Sequence, residues 1–478
     1  AKREAGRLRQ FNLSLLITDD FVQAVKADAT WPLTFPITED DLKREGLNGD
    51  DPEQVVWRRL DHVSEKYLRN DDGEIACKVY KKVPARQLWN QIMRSTYDFA
   101  EPGFILIDRV NQWNNNWFCE DIRATNPCVT ADTWVHTSEG PRQVSELVGR
   151  PFTAPVDGTH YACGEESFFV TGDKPVFELS TREGYTVKLT GDHKVRKVAS
   201  RSRWSETLDW VPAEQLEPGD QIVLHNHRTM PDWSGEGSRE EGYLVGLLVG
   251  DGTLKSDKAV LSVWPGQQAV GDSPQAHPVM AEALRCARTL PHRADFRGWM
   301  EVPGRGEYRL ATGAIKQLAE DLGMTPGNKM ITPALEARSS EFYRGFLRGF
   351  FDADGSVQGS QQKGVSVRLA QSDLPRLKAV QRMLLRLGIA ARLYQNRRPA
   401  QHELVISGDN LPIFMERVGF TDVDKITRLK NALGSYKRTL NRERFMVTVE
   451  GLALVGTETV YDVQVPGINT FDGNGLHA

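Results

Sequence analysis

Two stretches of this chain run through apolar residues to an aspartate followed by a glycine. In Glu240–Gly252, Gly242, Gly246 and Gly250 recur every fourth position ahead of Asp251. In Ser340–Gly355, Gly345, Gly349 and Ala353 hold the same spacing ahead of Asp354. At helical periodicity such small residues share one face, and a face without bulk lets two helices pack backbone against backbone. A mid-helix glycine costs about 1 kcal/mol, so its repetition marks a close approach. Helices packed this way bring Asp251 and Asp354 together at their ends. Paired carboxylates repel unless a cation lies between them, and oxygen donors of this kind suit Mg²⁺. Metals that clamp the attacking and leaving oxygens of a phosphodiester are the logic of nucleases. The glycine after each aspartate is expected to stop its helix in the left-handed cap conformation.

The surrounding elements divide the chain. Its 478 residues suffice for about three domains at ~150 residues each. Residues 1–127 mix helical and strand patterns: a strand, helix and Trp31-Pro32 loop across Ser14–Phe35, helical spacing in Val55–Tyr67, a helix over Gln87–Ala100 and a strand at Phe104–Ile107. After Pro127 the pattern turns all-β, with short runs at Thr133–His136, Ser167–Thr171, Val176–Ser180, Tyr185–Thr190 and Gln221–Leu224. It returns at Phe445–Val449, Ala453–Val455 and Val460–Val465. The two β stretches flank one block and are expected to form one discontinuous domain.

That block, residues 239–446, holds 31 Lys and Arg against 22 Asp and Glu, whereas the rest of the chain holds 29 against 42. A basic block between acidic flanks fits a polyanion-binding module inserted into a host that is not one. The apolar runs are too short to span a bilayer, so no membrane partner is expected. No targeting segment is evident, and the start at Ala1 reads as a piece cut from a longer chain. Five cysteines, an odd number, fit neither a disulfide framework nor a zinc site. That favours a reducing cytoplasm.

Leu244–Gly252 (LVGLLVGDG) and Leu347–Gly355 (LRGFFDADG) resemble the two motif copies of single-chain LAGLIDADG homing endonucleases. The first copy has Val249 where the second has Asp352; both keep the final acid. Lys329-Met330-Ile331-Thr332-Pro333 is similar to the element the family places before its second motif, and Gln381–Leu393 and Leu404–Phe420 to the elements after it. The resemblance implies an α+β, pseudo-twofold endonuclease over 239–440. Asp251 and Asp354 would be catalytic and hold Mg²⁺, and Lys329 would stabilise charge or orient water. Double-stranded DNA at the uninterrupted host gene would be the substrate. The basic stretches between motifs would form its saddle, with Arg293, Arg297, Arg305, Arg309, Arg368, Arg392, Arg397 and Arg398 on phosphates and bases.

Cys128–Val135 (CVTADTWV) resembles the opening of Hedgehog/intein (Hint) domains, whose first residue is the nucleophile. Thr190-Gly191-Asp192-His193 matches their Thr-x-x-His motif, and Val211–Val223 and Val460–Val463 resemble later elements. The resemblance implies a discontinuous all-β horseshoe over 128–238 and 441–478 that splices without a cofactor. Cys128 would attack the Pro127 carbonyl, Thr190 and His193 would act on that peptide bond, and Asp462 would manage protons. Two departures stand out. Asn469 occupies a position where the family often has His, and Asn474-Gly475 is followed only by Leu476, His477 and Ala478. Family spacing places the closing His-Asn two residues further on; alternatively, His477 is the penultimate His and Ala478 stands for Asn. Either way the cyclising Asn is missing and splicing is not expected to finish.

Residues 1–127 resemble part of a ribonucleotide reductase large subunit, nearest the adenosylcobalamin-dependent class. The carriers are Phe11-Asn12-Leu13-Ser14 with Thr18-Asp19, Glu101-Pro102-Gly103, Ile107-Asp108-Arg109-Val110-Asn111 and Ala124-Thr125-Asn126-Pro127. Asn126 would bind substrate ribose in the intact host. A downstream reductase segment would be the splicing partner and would supply the radical cysteine. The whole is thus expected to be multidomain: a Hint horseshoe, an inserted endonuclease and an N-terminal α/β fragment of a reductase barrel.

Overall fold

In a computed structural model the chain forms two units, residues 1–125 and 126–478. The structure describes residues 14–58, 67–70, 72–99, 103–107, 109, 128–164, 167–201, 206–265, 277–360, 364–398, 401–463, 465, 468 and 470–477. Phe11–Leu13, Glu101-Pro102, Asp108, Val110-Asn111, Ala124–Pro127 with Asn126, and Asn469 lie outside them, as do the side chains of Arg397 and Arg398.

In the first unit Ser14–Ile17 pairs in parallel with Gly103–Leu106. Helices Asp19–Lys26 and Ala85–Phe99 close a small core around Ile17, Phe21, Val25, Ala85 and Ile92. A separate antiparallel sheet runs Thr30–Pro36, Ile75–Pro84, Val55–Arg58. Two expectations fail here. Trp31-Pro32 lies inside a strand, one at the sheet edge, where a missing N–H costs least. Val55–Arg58 is a strand, because β-branched Val55 and Val56 pair across to Lys78 and Cys77; so short an apolar run does not betray its period.

The second unit is built on a seven-stranded sheet ordered Phe168–Thr181, Thr186–Leu189, Val129–Thr130, Met446–Val463, Gln221–Val223, Lys194–Arg201, Glu206–Pro212. Strands from before and after the basic block therefore share one sheet. The expected separate runs at Ser167–Thr171 and Val176–Ser180 are one strand, and so are the three runs after Phe445. These two long strands pair along their length, and register shifts near Gly172, Val176 and Ser180 absorb the irregularities. Gly172 and Gly456, at φ 111° and 137°, bend the pair without breaking it. A smaller sheet joins Leu476–His477, Asp472–Gly473, Trp134–Thr137 and Gly140–Gln143.

The block between repeats one pattern twice. Helix Arg239–Val249 is followed by strands Thr253–Leu254 and Ala259–Val263, helix Pro278–Ala287, strands Met300–Val302 and Glu307–Thr312, and helix Gly313–Asp321. Helix Ser340–Asp354 is followed by strands Gly355–Ser360 and Gly364–Gln371, helix Leu374–Arg386, strands Arg392–Arg398 and Gln401–Ser407, and helix Asn410–Arg417. Both four-stranded sheets place their strands in the same order, first, second, fourth, third.

The two leading helices touch backbone to backbone. A Cβ on Gly246 would lie 2.1 Å from the Phe346 carbonyl oxygen, and one on Gly345 2.0 Å from that of Arg239. Gly242 and Gly349 are as tight, at 2.2 and 2.3 Å from the oxygens of Phe342 and Tyr243. The glycine endings differ from expectation. Neither Gly252 nor Gly355 is left-handed; Gly250, one residue before Asp251, caps the first helix at φ −69°, and Gly355 caps the second at −72°. Room selects glycine after each aspartate: a Cβ on Gly252 would meet Leu248 Cα at 2.6 Å, and one on Gly355 the Phe351 oxygen at 2.4 Å.

Candidate functional site

Asp251 follows the first ridge helix and Asp354 ends the second. The close packing brings them together: a Cβ on Gly250 would stand 2.4 Å from Ala353 Cβ and 3.4 Å from Asp354 Oδ2. Burial raises the pKa of both carboxyls, and the charge of Asp354 raises Asp251 further. Lys329 and Lys425 work against this on both. Gln371 Nε2 donates to Asp354 Oδ2 at 2.6 Å. Two partly buried carboxyls with raised pKa values and only oxygen donors are what a Mg²⁺-like cation fits, since it removes their mutual repulsion.

Lys329 stands where sequence placed it, close to the acid pair, and its contacts are with backbone. Its Nζ donates to the carbonyl oxygens of Leu248 (2.9 Å), Gly250 (3.2 Å) and Gly252 (2.5 Å). It thus closes the open end of the first ridge helix, where unpaired carbonyls carry partial negative charge. Sequence reading missed its counterpart. Lys425 Nζ donates to the oxygens of Phe351 (3.0 Å), Asp352 and Ala353 (3.4 Å) at the end of the second helix. Burial lowers the pKa of both lysines. Asp352, the acid without a partner in the first copy, is buried; its carboxylate takes the Tyr243 hydroxyl and the backbone N–H groups of Thr421 and Asp422. It is structural.

Of the candidate DNA contacts, Arg309 and Arg368 lie on strands of the two equivalent sheets and Arg392 opens a strand. Arg305 sits in the turn between Met300–Val302 and Glu307–Thr312, with Arg293 and Arg297 in the preceding connection. Arg309 is paired with Glu307 and Arg368 with Glu403, so their charges are partly spent within the protein.

At the other site Cys128 is fully buried at the start of strand Val129–Thr130. Its amide donates to Thr190 Oγ1 at 3.1 Å, and its carbonyl accepts from the Thr190 amide at 3.0 Å. The Thr190-to-His193 turn brings in the His193 ring. Burial lowers that ring to about 4, against Asp192 and a hydrogen bond with the Cys128 backbone, and its Nδ1 has no hydrogen-bond partner. Resting His193 is therefore neutral at pH 7. Asp462 enters from the next strand, one step beyond the Tyr461–Val129 pair. Burial pushes its carboxyl up to about 6.

Two residues here were not foreseen. Thr171 Oγ1 lies 3.1 Å and Lys174 Nζ 3.4 Å from Cys128 Sγ. Burial raises the thiol pKa, and these two contacts oppose it. His477, the alternative penultimate histidine, is buried in the short strand Leu476–His477, stacked on His225. Cys77, Cys128, Cys163 and Cys286 are free thiols among the described residues.

Residues 341–419 match the family model for a LAGLIDADG-like domain, and residues 1–132 that for the ribonucleotide reductase barrel domain. Among curated proteins, the chain is 20% identical over 522 residues to the ribonucleoside-diphosphate reductase NrdEB subunit alpha of Bacillus subtilis strain 168, an alignment covering 99% of this chain and 45% of that protein. It is 27% identical to the replicative DNA helicase DnaB of Rhodothermus marinus over 63% of this chain and 32% of the helicase. It is 26% identical to the DNA polymerase of Thermococcus litoralis over 64% of this chain and 19% of the polymerase. The chain thus spans less than half the length of these relatives.

Among solved structures, the homing endonuclease I-DmoI in complex with DNA and Mn aligns at 18% identity over 38% of this chain and 96% of that one, with TM-score 0.27. The Ssp DnaB mini-intein variant M86 aligns at 19% over 22% and 67%, with TM-score 0.18. Taken together, the family matches mark a segment similar to the ribonucleotide reductase barrel followed by a LAGLIDADG-like domain. Among the described residues no helix is long and apolar enough to cross a membrane.

Proposed function

We propose that residues 128–478 form an intein: a Hint horseshoe, residues 128–238 and 441–478, that processes its own junction and carries a homing endonuclease at 239–440. The observation that carries this reading is the convergence on one buried cysteine, Cys128, of Thr190 and His193 at its backbone and of the Asp462 charge at its thiol. The shared region supports it as well. About two thirds of this chain aligns with a helicase, and about two thirds with a polymerase, proteins of unlike function, as an inserted element should.

Cys128 Sγ attacks the carbonyl carbon of Pro127. The new S–C bond forms, the C–N bond to Cys128 breaks, and the thiol proton ends on the freed amine. The peptide becomes a thioester, which divides one hard acyl transfer into easier steps. Asp462, near 6, is charged at pH 7 and takes the thiol proton. Thr171 and Lys174 stabilise the thiolate, and Thr190 holds the amide whose bond breaks. His193, neutral at rest, carries that proton from Asp462 to the leaving nitrogen.

In the endonuclease Asp251 and Asp354 would hold Mg²⁺, which would polarise the scissile phosphate and lower the pKa of the attacking water. Lys329 and Lys425 fix the two helix ends and place positive charge beside the reacting phosphate. The two sheets, with Arg305, Arg309, Arg368 and Arg392, face double-stranded DNA at the uninterrupted reductase gene. Residues 1–127 belong to the host, and a downstream reductase segment is the splicing partner. Exposed Leu15, Leu16, Phe104 and Leu106 on the paired parallel strands fit a barrel that further strands would cover.

The test is thiol-induced cleavage. Incubating the purified chain with excess dithiothreitol should release residues 1–127, and Cys128→Ala should not. Release that persists in Cys128→Ala, or no release from a folded parent chain, overturns the splicing assignment.

A further inference from the structure

We infer that the second unit holds a transition-metal site of the Zn²⁺ type, with His225, His227 and Asp472 as its protein ligands. His225 follows the strand Gln221–Val223, His227 opens a short 3₁₀ turn, and Asp472 lies in the hairpin that pairs with Leu476–His477. One donor atom from each lies within 4.8 Å of the others. All three are buried, at 1%, 0% and 4% exposure. The site is separate from both centres described above and takes no residue from either.

The cluster makes poor sense as a plain core. Of the ten histidines in the chain, four gather here. The His136 and His227 rings meet edge to face at 5.0 Å, and His225 and His477 stack in parallel at 3.7 Å. Among the described residues, Nδ1 of His227, His136 and His477 is buried without a hydrogen-bond partner. His227 Nε2 lies 2.8 Å from Asp472 Oδ2. Asp472 spends Oδ1 on the Gly475 amide, which leaves Oδ2 facing the rings.

A buried carboxylate set among imidazole rings with unpartnered nitrogens is a natural cradle for a cation. The nearby guanidinium of Arg386 is engaged with Glu336 and the Tyr343 hydroxyl. Orphaned buried polar atoms are costly. Two imidazoles and one carboxylate are a donor set for zinc and its neighbours in the first transition row, not for Mg²⁺. His136 and His477 pack their rings against His227 and His225 and wall the site; a water would take the fourth position. A bound ion would tie the end of strand Gln221–Val223 to the hairpin whose turn is Asn474-Gly475.

The experiment uses the full chain carrying Cys128→Ala, so that the buried thiol does not compete for metal. The metal-free protein is titrated with Zn²⁺ against a chromophoric chelator, then with Co²⁺ for its visible spectrum. One equivalent of Zn²⁺ should bind and raise the thermal midpoint, and Co²⁺ should give the intense bands of four-coordination. His227→Gln and Asp472→Asn should each weaken binding at least about tenfold, the scale of a disturbed metal shell, while His160→Gln should not. Zn²⁺ binding unchanged in both variants overturns the site. If a variant does not fold, the parent decides: no Zn²⁺-dependent rise in thermal midpoint, or only the weak Co²⁺ bands of a six-coordinate, water-rich ion, overturns it equally.

Discussion

Adding one methyl group at Gly246 tests whether the two ridge helices set the acid pair. In an isolated helix, Gly→Ala stabilises by about 1 kcal/mol. Here the new Cβ would fall 2.1 Å from the Phe346 oxygen and 2.8 Å from the Phe350 nitrogen. Both are backbone atoms, which no rotamer change can move. An ordinary contact needs more than 3 Å, so the helices must part by about 1 Å, an overpacking that costs roughly 1–3 kcal/mol. The methyl lies one turn before Asp251, so the gap opens at the carboxylate pair. Misplacement by about 1 Å costs on the order of 100-fold in rate. The control is Gly434→Ala, in helix Val423–Ser435, where a Cβ meets nothing within 4 Å. Urea unfolding and plasmid cleavage read both variants. Gly246→Ala should lose stability and nearly all cleavage, whereas Gly434→Ala should gain a few tenths of a kcal/mol and cut normally. Equal stability in the two variants would refute the reasoning.

Other perturbations reach the remaining parts. Lys425→Met should slow DNA cleavage about as much as Lys329→Met, roughly 100-fold, the lower end for one positioned charge; an unimpaired Lys425→Met would remove it from the site. Thr171→Val and Lys174→Met should each shift thiol-induced release of residues 1–127 to higher pH, since each removes a contact that opposes the burial-raised thiol pKa. An unshifted pH profile would show that neither acts on the thiol. Burial raises folded Asp462 to about 6, so the folded state binds a proton that the unfolded state has released. Stability from this group is present at low pH and falls as pH rises from the unfolded value through about 6. Asp462→Asn should flatten that segment of the stability–pH curve and slow release above it, and an unchanged slope would contradict the buried placement.

The ridge helices were legible because four-residue spacing of small side chains has few other uses, and the structure shows the backbone contact it implies. Cys128, Thr190 and His193 were legible through a local motif. Lys425 was not. Asp424-Lys425-Ile426-Thr427 echoes Asn328-Lys329-Met330-Ile331-Thr332 but lacks the proline after it, and it lies inside a helix. Thr171 and Lys174 reach Cys128 only through the register of two long strands joined far apart in sequence. Those strands were themselves read as fragments, because Gly172, Pro175, Gly451 and Gly456 look like breaks when neighbours are unknown. The histidine cluster was invisible for the same reason: its members come from three distant segments.

The central claim is that the paired acids cut DNA at the gene this element interrupts. The direct measurement is cleavage, with Mg²⁺, of a plasmid carrying the uninterrupted reductase insertion site, by this chain and by its Asp251→Asn/Asp354→Asn variant. The account predicts a double-strand break at that site by the parent and none by the variant. Cutting that survives both substitutions, or a folded parent that leaves the site intact, would contradict it.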